Sequence, residues 1–217
     1  MNISAKKLAI GNDIVDLFDS DSLDVLQNSK FIERVFTANE IRHIQNSPQK
    51  EKTAWAMWAA KESTFKALAR FNSDTLFSPI KFEVFLEREI VTYKNASYPV
   101  KNFETSEYVA SVCLNSSKQM KYKQWISKFD TIQDMKELSA YRKKVNSYSE
   151  ESRLCHCYAL WLLENEIGLS DVTIVKTSAS PRFAPVIHCE NRPQPALTLS
   201  LSHHGRFCFV AVCNTEN

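Results

Sequence analysis

The chain has 217 residues, 44% of them hydrophobic and 24% charged, with a net charge of only +2 at neutral pH. This composition belongs to a folded globular protein with material for one large core or two small ones, and it excludes disordered and collagen-like chains. No run approaches the roughly 18–20 apolar residues of a membrane span, and the opening residues lack the apolar segment and cleavage site of a signal peptide.

Cysteine and glycine usage narrow the classes further. Cys113, Cys155, Cys157, Cys189, Cys208 and Cys213 fall inside expected strands and a helix, which reads as free, buried thiols in a reducing cytoplasm. Cys155 and Cys157 resemble a metal pair, but neighbours at i,i+2 on a helix do not face each other, so zinc is discounted. There are three glycines, Gly11, Gly168 and Gly205. Gly-rich phosphate loops of the Walker or dinucleotide type are therefore absent.

The first expected element is a short strand, Leu8–Ile10, running into Gly11. Asp13 follows, between Ile10 and the pair Ile14 and Val15, and a strand disfavours Asp. It is either an Asx-turn or a carboxylate placed at a strand end. Helical material spans 22–47, and a second helix covers 53–70. That helix is small or apolar on nearly every side, with Trp55 and Trp58 among alanines, yet carries Lys61, Glu62 and Lys66. A helix apolar all round is normally buried, and buried charges are paired or do chemistry. At about 100° per residue the three charges share a sector of roughly 140°. An i,i+4 surface salt bridge would be worth only about 0.3–0.5 kcal/mol, and the apolar surroundings favour the chemical reading.

Strands are expected at 80–86, 89–93 and 108–114. Residues 117–146 read as a basic connector. Between Ser117 and Val145 seven Lys and one Arg face three acids, an excess of +5 larger than that of the whole chain. A solvated face or a site for an anionic partner would account for it. Ser147 to Glu150 reads as a capping box opening a helix that Gly168 closes, and a strand at 172–176 and a Pro-rich turn follow. Leu197, Leu199 and Leu201 then alternate with Thr198, Ser200 and Ser202, the period of a half-buried strand. His203, His204, Gly205 and Arg206 make its turn into a final apolar strand, with Ser202, His203 and Arg206 at the tip. By itself such a Ser-His pair is more often a polar turn than a catalytic unit. Each half combines helix with antiparallel sheet, an α+β chain in which residues 1–116 form one lobe and 147–217 another.

Three motifs, Gly11-Asn-Asp-Ile-Val-Asp16, Trp58-Ala-Ala-Lys-Glu-Ser-Thr-Phe-Lys66 and Ser200-Leu-Ser-His-His-Gly205, together resemble the signature set of the 4′-phosphopantetheinyl transferases. Their order is similar to that of the short holo-acyl-carrier-protein synthases, which build each site between subunits of a trimer. The second half, from Lys143 through Leu154 to the hairpin, is similar to the N-terminal lobe of the longer, two-lobed class. The resemblance implies a pseudodimer whose lobe order is swapped relative to that class, with its active site between the lobes, working as a monomer.

The implied reaction moves the 4′-phosphopantetheine arm of coenzyme A to a serine of an apo acyl or peptidyl carrier protein, releasing 3′,5′-ADP. The resemblance implies Mg²⁺ held by Asp13 and Glu62, with Lys61 and Lys66 on the diphosphate. Glu62, Lys61 or a metal-bound water would take the proton of the incoming serine. Ser202 and His203 would hold the nucleotide phosphates, and Lys144 and Arg153 would clamp the 3′-phosphate.

The chain departs from the long class at Val15, where a second acid is common, and at Ala184-Pro185 in place of a Lys-Pro. The metal shell then rests on Asp13 and Glu62, and a phosphate contact is lost or moves to Arg182. Asp16 would orient a metal-site group or cap the following turn. Lys118, Lys121, Lys123 and Lys128 then form a solvated face or, given the acidic surface of such carriers, a docking face. A module that binds coenzyme A or a carrier without turnover is the rival reading, opposed by the intact Asp13, Lys61, Glu62 and Lys66. A nucleic-acid-binding protein is opposed by the lack of a reader motif.

Overall fold

The computed structural model describes residues 8–70, 76–116, 121–145, 149–175 and 184–215. Lys118, Ser147 and Arg182 lie outside them. The chain is α+β, with helices packed on antiparallel sheets. In its first half, strands β1 (Ile10–Asp16), β2 (Glu83–Phe85), β3 (Ile90–Tyr93), β4 (Ala96–Glu104) and β5 (Tyr108–Leu114) form one sheet in the order β1-β5-β4-β3-β2. Helices α1 (Ser29–Val35), α2 (Ala38–Asn46) and α3 (Lys50–Ala69) cover it. Thr37 and Glu40 form a reciprocal capping box at the start of α2.

The first strand does not stop at Gly11 but runs on through Asp13, which sits mid-strand opposite Ser111 of β5. The ladder with β5 overrides the local dislike of Asp for a strand, and the Asx-turn alternative falls away. Strand β4 escaped sequence reading. Its alternation is muddied by Pro99 and Lys101, and Lys94 and Asn95 close its hairpin with β3 at φ values of 47° and 62°. Lys is not a residue that announces such a turn.

Gly11 explains how α3 comes so close to β1. A Cβ there would lie 2.0 Å from the Ser63 carbonyl oxygen and 2.6 Å from the Ala67 nitrogen, both backbone atoms that cannot swing aside. Gly11→Ala should therefore push helix from strand and cost at least about 2 kcal/mol. A Tm drop of roughly 5 °C or more in thermal unfolding would bear this out; an unchanged Tm would refute the packing argument.

The second half builds two three-stranded sheets against helix α5 (Glu150–Asn165). Ser149, whose Oγ accepts from the Ser152 N–H, caps that helix, and Gly168 at φ 83° lies beyond its end. Strands β7 (Val172–Val175), β8 (Val186–Cys189) and β9 (Arg192–Pro193) form one sheet. The other comprises β10 (Leu197–His204), β11 (Phe207–Asn214) and β6 (Tyr122–Lys128), in the order β10-β11-β6.

Thus the basic stretch is more than a connector. It supplies β6, paired along β11, and the short helix α4 (Phe129–Gln133). Several of its cations already have acceptors within the protein: Lys123 the Glu166 carbonyl, Lys128 Glu107, Arg142 Glu150 and Lys144 Glu164.

The halves meet along an apolar, buried seam. Ile10, Ile14, Ala110 and Val112 of the first sheet pack on Phe207, Phe209 and Ala211 of β11. Arg70, at the end of α3, crosses the same seam and donates to the carbonyls of Leu199, at 2.9 Å, and Pro185, at 2.7 Å. Burial lowers its pKa to about 10.

Candidate active site

Strand β1 lies between α3 on one side and β10–β11 on the other, so alternate residues address different neighbours. Asp13, on the Gly11 side, meets α3. Its Oδ1 accepts from Lys66 Nζ at 2.7 Å, and Lys66 also donates to the Asn12 carbonyl at 3.1 Å.

Burial raises the pKa of Asp13 although Lys66 opposes the change. Glu62, one turn before Lys66, is pushed up to about 7, first by burial and then by the charge of Asp13, with Lys66 opposing. For Lys66 burial acts downward, but Asp13 and Glu62 together carry its pKa above the usual value. Two carboxylates and one ammonium thus form a coupled, water-poor group with one negative charge too many. Clusters of this kind, in which environment and like charges displace pKa values, mark functional sites.

The group fits a hard cation. Its donors are carboxylate oxygens, with Asp13 raising the proton affinity of Glu62, and among the described residues no set of three or more His, Cys, Asp or Glu is gathered. A cation that keeps waters and substrate oxygens in its shell, as Mg²⁺ does, needs only one or two protein carboxylates. The same oxygens make poor ligands for a soft metal.

Lys61 does not belong to this group. Its Nζ is fully buried on the far side of α3, donating to Glu40 Oε2 at 2.8 Å, to the Pro79 carbonyl at 3.1 Å and to the Phe82 carbonyl. Burial lowers its pKa and Glu40 opposes the drop. Residues that share one sector of roughly 140° on a helical wheel thus meet different partners: Lys66 meets Asp13 of β1, and Lys61 meets Glu40 of α2 and the carbonyls of Pro79 and Phe82.

The second-half residues are also redistributed. Ser202 and His203 are successive residues of β10 and leave opposite faces of the strand. Ser202, with Ser200 and His204, turns toward β1. Its Oγ is buried and makes no hydrogen bond. His203 is exposed and lines an open cleft of about 510 Å³ with Asp16, Phe18, Asp19, Glu151, Gly205 and Arg206. Arg153 pairs with Glu150 at 3.2 Å, near the start of α5, whereas Lys144 reaches Glu164, near its end, at 3.5 Å. Eleven residues of helix from Arg153 to Glu164 span about 16 Å. Lys144 and Arg153 are thus not joined in one clamp.

Asp16 does not face Asp13, but it does cap the following turn, accepting from the Phe18 N–H. Its carboxylate grips the hairpin tip, accepting from Arg206 Nε at 2.8 Å and from the Arg206 backbone N–H at 2.9 Å. Arg206 Nη2, at 2.8 Å, and the Phe18 N–H, at 3.0 Å, donate to its other oxygen. Burial would raise its pKa, but Arg206 and these N–H groups outweigh it and hold it at about 2. Gly205, at φ 50°, makes room: a Cβ there would lie 2.6 Å from Asp16 Oδ2. The Asp-Gly-Arg combination was visible in the sequence, but nothing local linked residues 190 positions apart.

Comparison with known proteins gives the family of the chain. The family model of the 4′-phosphopantetheinyl transferase superfamily matches residues 9–117, half of the chain. The chain belongs to the 4′-phosphopantetheinyl transferase superfamily. Fatty acid synthase subunit alpha of Candida parapsilosis is 41% identical over 68 residues, 31% of this chain and 3% of that protein. Holo-[acyl-carrier-protein] synthase of Rhodopirellula baltica is 38% identical over 61 residues, 28% of this chain and 49% of that protein. The chain thus spans about half the length of the second relative and a small fraction of the first. The transferase match runs through β1, α3 and β5, the elements that hold Asp13, Glu62 and Lys66. The Ser200–Gly205 hairpin lies outside the matched residues. Among the described residues no helix is long and apolar enough to cross a membrane.

Proposed function

We propose that this chain transfers the 4′-phosphopantetheine arm of coenzyme A to a serine of an apo acyl carrier protein, releasing 3′,5′-ADP in a Mg²⁺-dependent reaction. The observation that carries the reading is the Asp13–Glu62–Lys66 group, held together by the close contact at Gly11 in the part of the chain that matches the family. The printed names of the two relatives, a fatty acid synthase subunit and a holo-[acyl-carrier-protein] synthase, support an acyl carrier as acceptor. The six free cysteines suit a reducing cytoplasm.

In this reaction the serine oxygen attacks the phosphorus that bears the pantetheine arm. The new O–P bond forms as the bond to the bridging oxygen of 3′,5′-ADP breaks, and the serine proton passes to a base. Asp13 and Glu62 would hold Mg²⁺, which when bound supplies positive charge to the diphosphate oxygens. Lys66 adds a fixed ammonium beside the same oxygens, so negative charge developing on the leaving group is met in a site already organised for it. Glu62, or a water held at the site, would receive the serine proton; a bound cation favours the ionised form of Glu62. Lys61, enclosed with Glu40, is out of reach of this step. His203 in its cleft and Arg153 at the start of α5 are placed to meet the nucleotide phosphates. Ser202, whose hydroxyl is buried beside β1, would have to reach the diphosphate from the β10 side. The positive stretch from 117 to 145 would steer an acidic carrier toward the site.

The decisive assay mixes the protein with coenzyme A, Mg²⁺ and an apo acyl carrier protein and follows carrier mass. A gain of one phosphopantetheine arm on the serine is expected; an unmodified carrier that the protein nevertheless binds would favour a binding module. Because the seam joins both halves within one chain, activity is expected to elute with the 24.9 kDa monomer. Activity confined to a trimer in light scattering would overturn the pseudodimer reading.

A further inference from the structure

Among the described residues strand β1 is an edge strand of its sheet, with β5 on one side and no strand paired on the other. Its outer N–H groups need acceptors, since a buried, unpaired N–H is costly. Side chains of β10 supply them. The Asn12 N–H donates to Ser200 Oγ at 3.0 Å, and the Asp16 N–H donates to His204 Nδ1 at 3.2 Å. Both bonds join residues 188 apart, so β10 runs beside β1 in one constant register. Ser200 is locked further by donating to Asn12 Oδ1 at 2.8 Å, while Asn12 Nδ2 reaches the Phe209 carbonyl at 2.9 Å.

The same register sets Ser202, with its buried unbonded hydroxyl, against Ile14. At this position the ladder of side-chain acceptors is interrupted, because the Ser202 hydroxyl makes no bond to β1. Asp13 is therefore held at the middle of the edge, between a rung at Ser200 and a rung at His204. Only the second rung is a residue whose shape and tautomer matter. An imidazole accepts at Nδ1 only when its proton sits on Nε2.

We propose that His204 is a positioning residue, which by accepting the Asp16 N–H at Nδ1 fixes the strand segment that carries Asp13 against the hairpin that carries Ser202 and His203. It touches no reacting atom. Its task is to keep the two halves of the site in one register, where small displacements of charged groups cost rate rather than fold. The groups around it are Asp13 and Asp16 of β1, His203 on its own strand and Arg206 across the turn.

Asn and Gln distinguish this role from simple filling of space, because the Asn carbonyl oxygen falls where Nδ1 was and the Gln carbonyl oxygen falls nearer Nε2. With the transferase assay above, His204→Asn should keep kcat within about threefold of the unsubstituted protein. His204→Gln should lose at least about tenfold in kcat with the coenzyme A KM changed less than about twofold. The two variants should have similar Tm values. Equal activity of the two variants, or losses that follow Tm alone, would overturn the proposal.

A second measurement needs no substitution. In the unsubstituted protein the imidazole ¹⁵N resonances of His204 should show a bare, hydrogen-bonded Nδ1, and the Asp16 amide should exchange slowly. A protonated Nδ1 or a freely exchanging Asp16 amide would refute the proposal whatever the variants do. The kinetic arm rests on the transferase reading. If the unsubstituted protein modifies no carrier, that reading fails, while the tautomer and exchange data still test the ladder.

Discussion

Glu62→Gln should lower kcat/KM for carrier modification by at least about 100-fold, with Tm unchanged or raised. The activity loss has two sources, both removed by an isosteric amide: a charged oxygen ligand for the cation and a proton acceptor. General bases alone contribute about 10²–10⁴ in rate. Retained activity within about tenfold, which is ~1.4 kcal/mol of transition-state stabilisation, would remove Glu62 from the site.

The stability expectation follows from the sign of the pKa displacement. In the metal-free protein Glu62 has a folded pKa of about 7 against an ordinary 4.5, because burial and Asp13 disfavour its charged form. The folded state then holds its proton more tightly than the unfolded chain does. Its contribution to stability is fully present below about pH 4.5 and is lost as pH rises through 7. Gln cannot ionise, so the variant should lack this part of the pH dependence and be the more stable protein above pH 7. A steeper fall of Tm with pH in Glu62→Gln than in the unsubstituted chain would contradict the assignment. Function held at the expense of stability is common at sites that gather like charges.

Lys61→Met should do the reverse, damaging the fold far more than the chemistry. Lys61 has three oxygen acceptors and no exposure, and Glu40, its partner, is itself buried and bonded to the N–H groups of Thr37 and Val84. Removing one member of such a pair strands the other charge and costs about 3–5 kcal/mol. In a chain of this size that corresponds to a Tm fall of roughly 10 °C. Pairing the substitution with Glu40→Gln removes the stranded charge while keeping side-chain oxygen and nitrogen in place. The double variant should therefore recover at least about 1 kcal/mol relative to the sum of the single effects. Measured well below its Tm, Lys61→Met should keep activity within about threefold. A stable Lys61→Met protein with activity down 100-fold would return Lys61 to the catalytic group.

These two substitutions lie next to each other in sequence and were indistinguishable there. Helical periodicity placed Lys61, Glu62 and Lys66 in one sector, and the apolar surroundings correctly marked all three as unusual. What periodicity lacks is the partner. A strand only one glycine wide at its closest point lies against this helix, so a 100° step between adjacent residues is enough to move one ammonium from a site into a core. The same holds for Ser202 and His203, whose adjacency reads as cooperation along the chain but means opposite faces once the residues form a strand.

Composition, the α+β class, the three motifs, the helix around Trp55 and Trp58 and the final hairpin were legible in the sequence, because each depends on local periodicity or on residue types a few positions apart. The family resemblance followed from those motifs and is matched over residues 9–117. Strand β4, strand β6 inside the basic stretch, the Asp16–Arg206 grip and the His204 rung were not legible. Each joins surfaces across a sheet or across some 190 residues of chain, and hydrogen bonds of that span leave no period in the sequence. Residue types therefore determined which groups this protein can bring to a reaction. Only the packing of β1 between α3 and β10 decided which of them meet, because burial and a partner within 3 Å, rather than sequence spacing, set where a charge can be held.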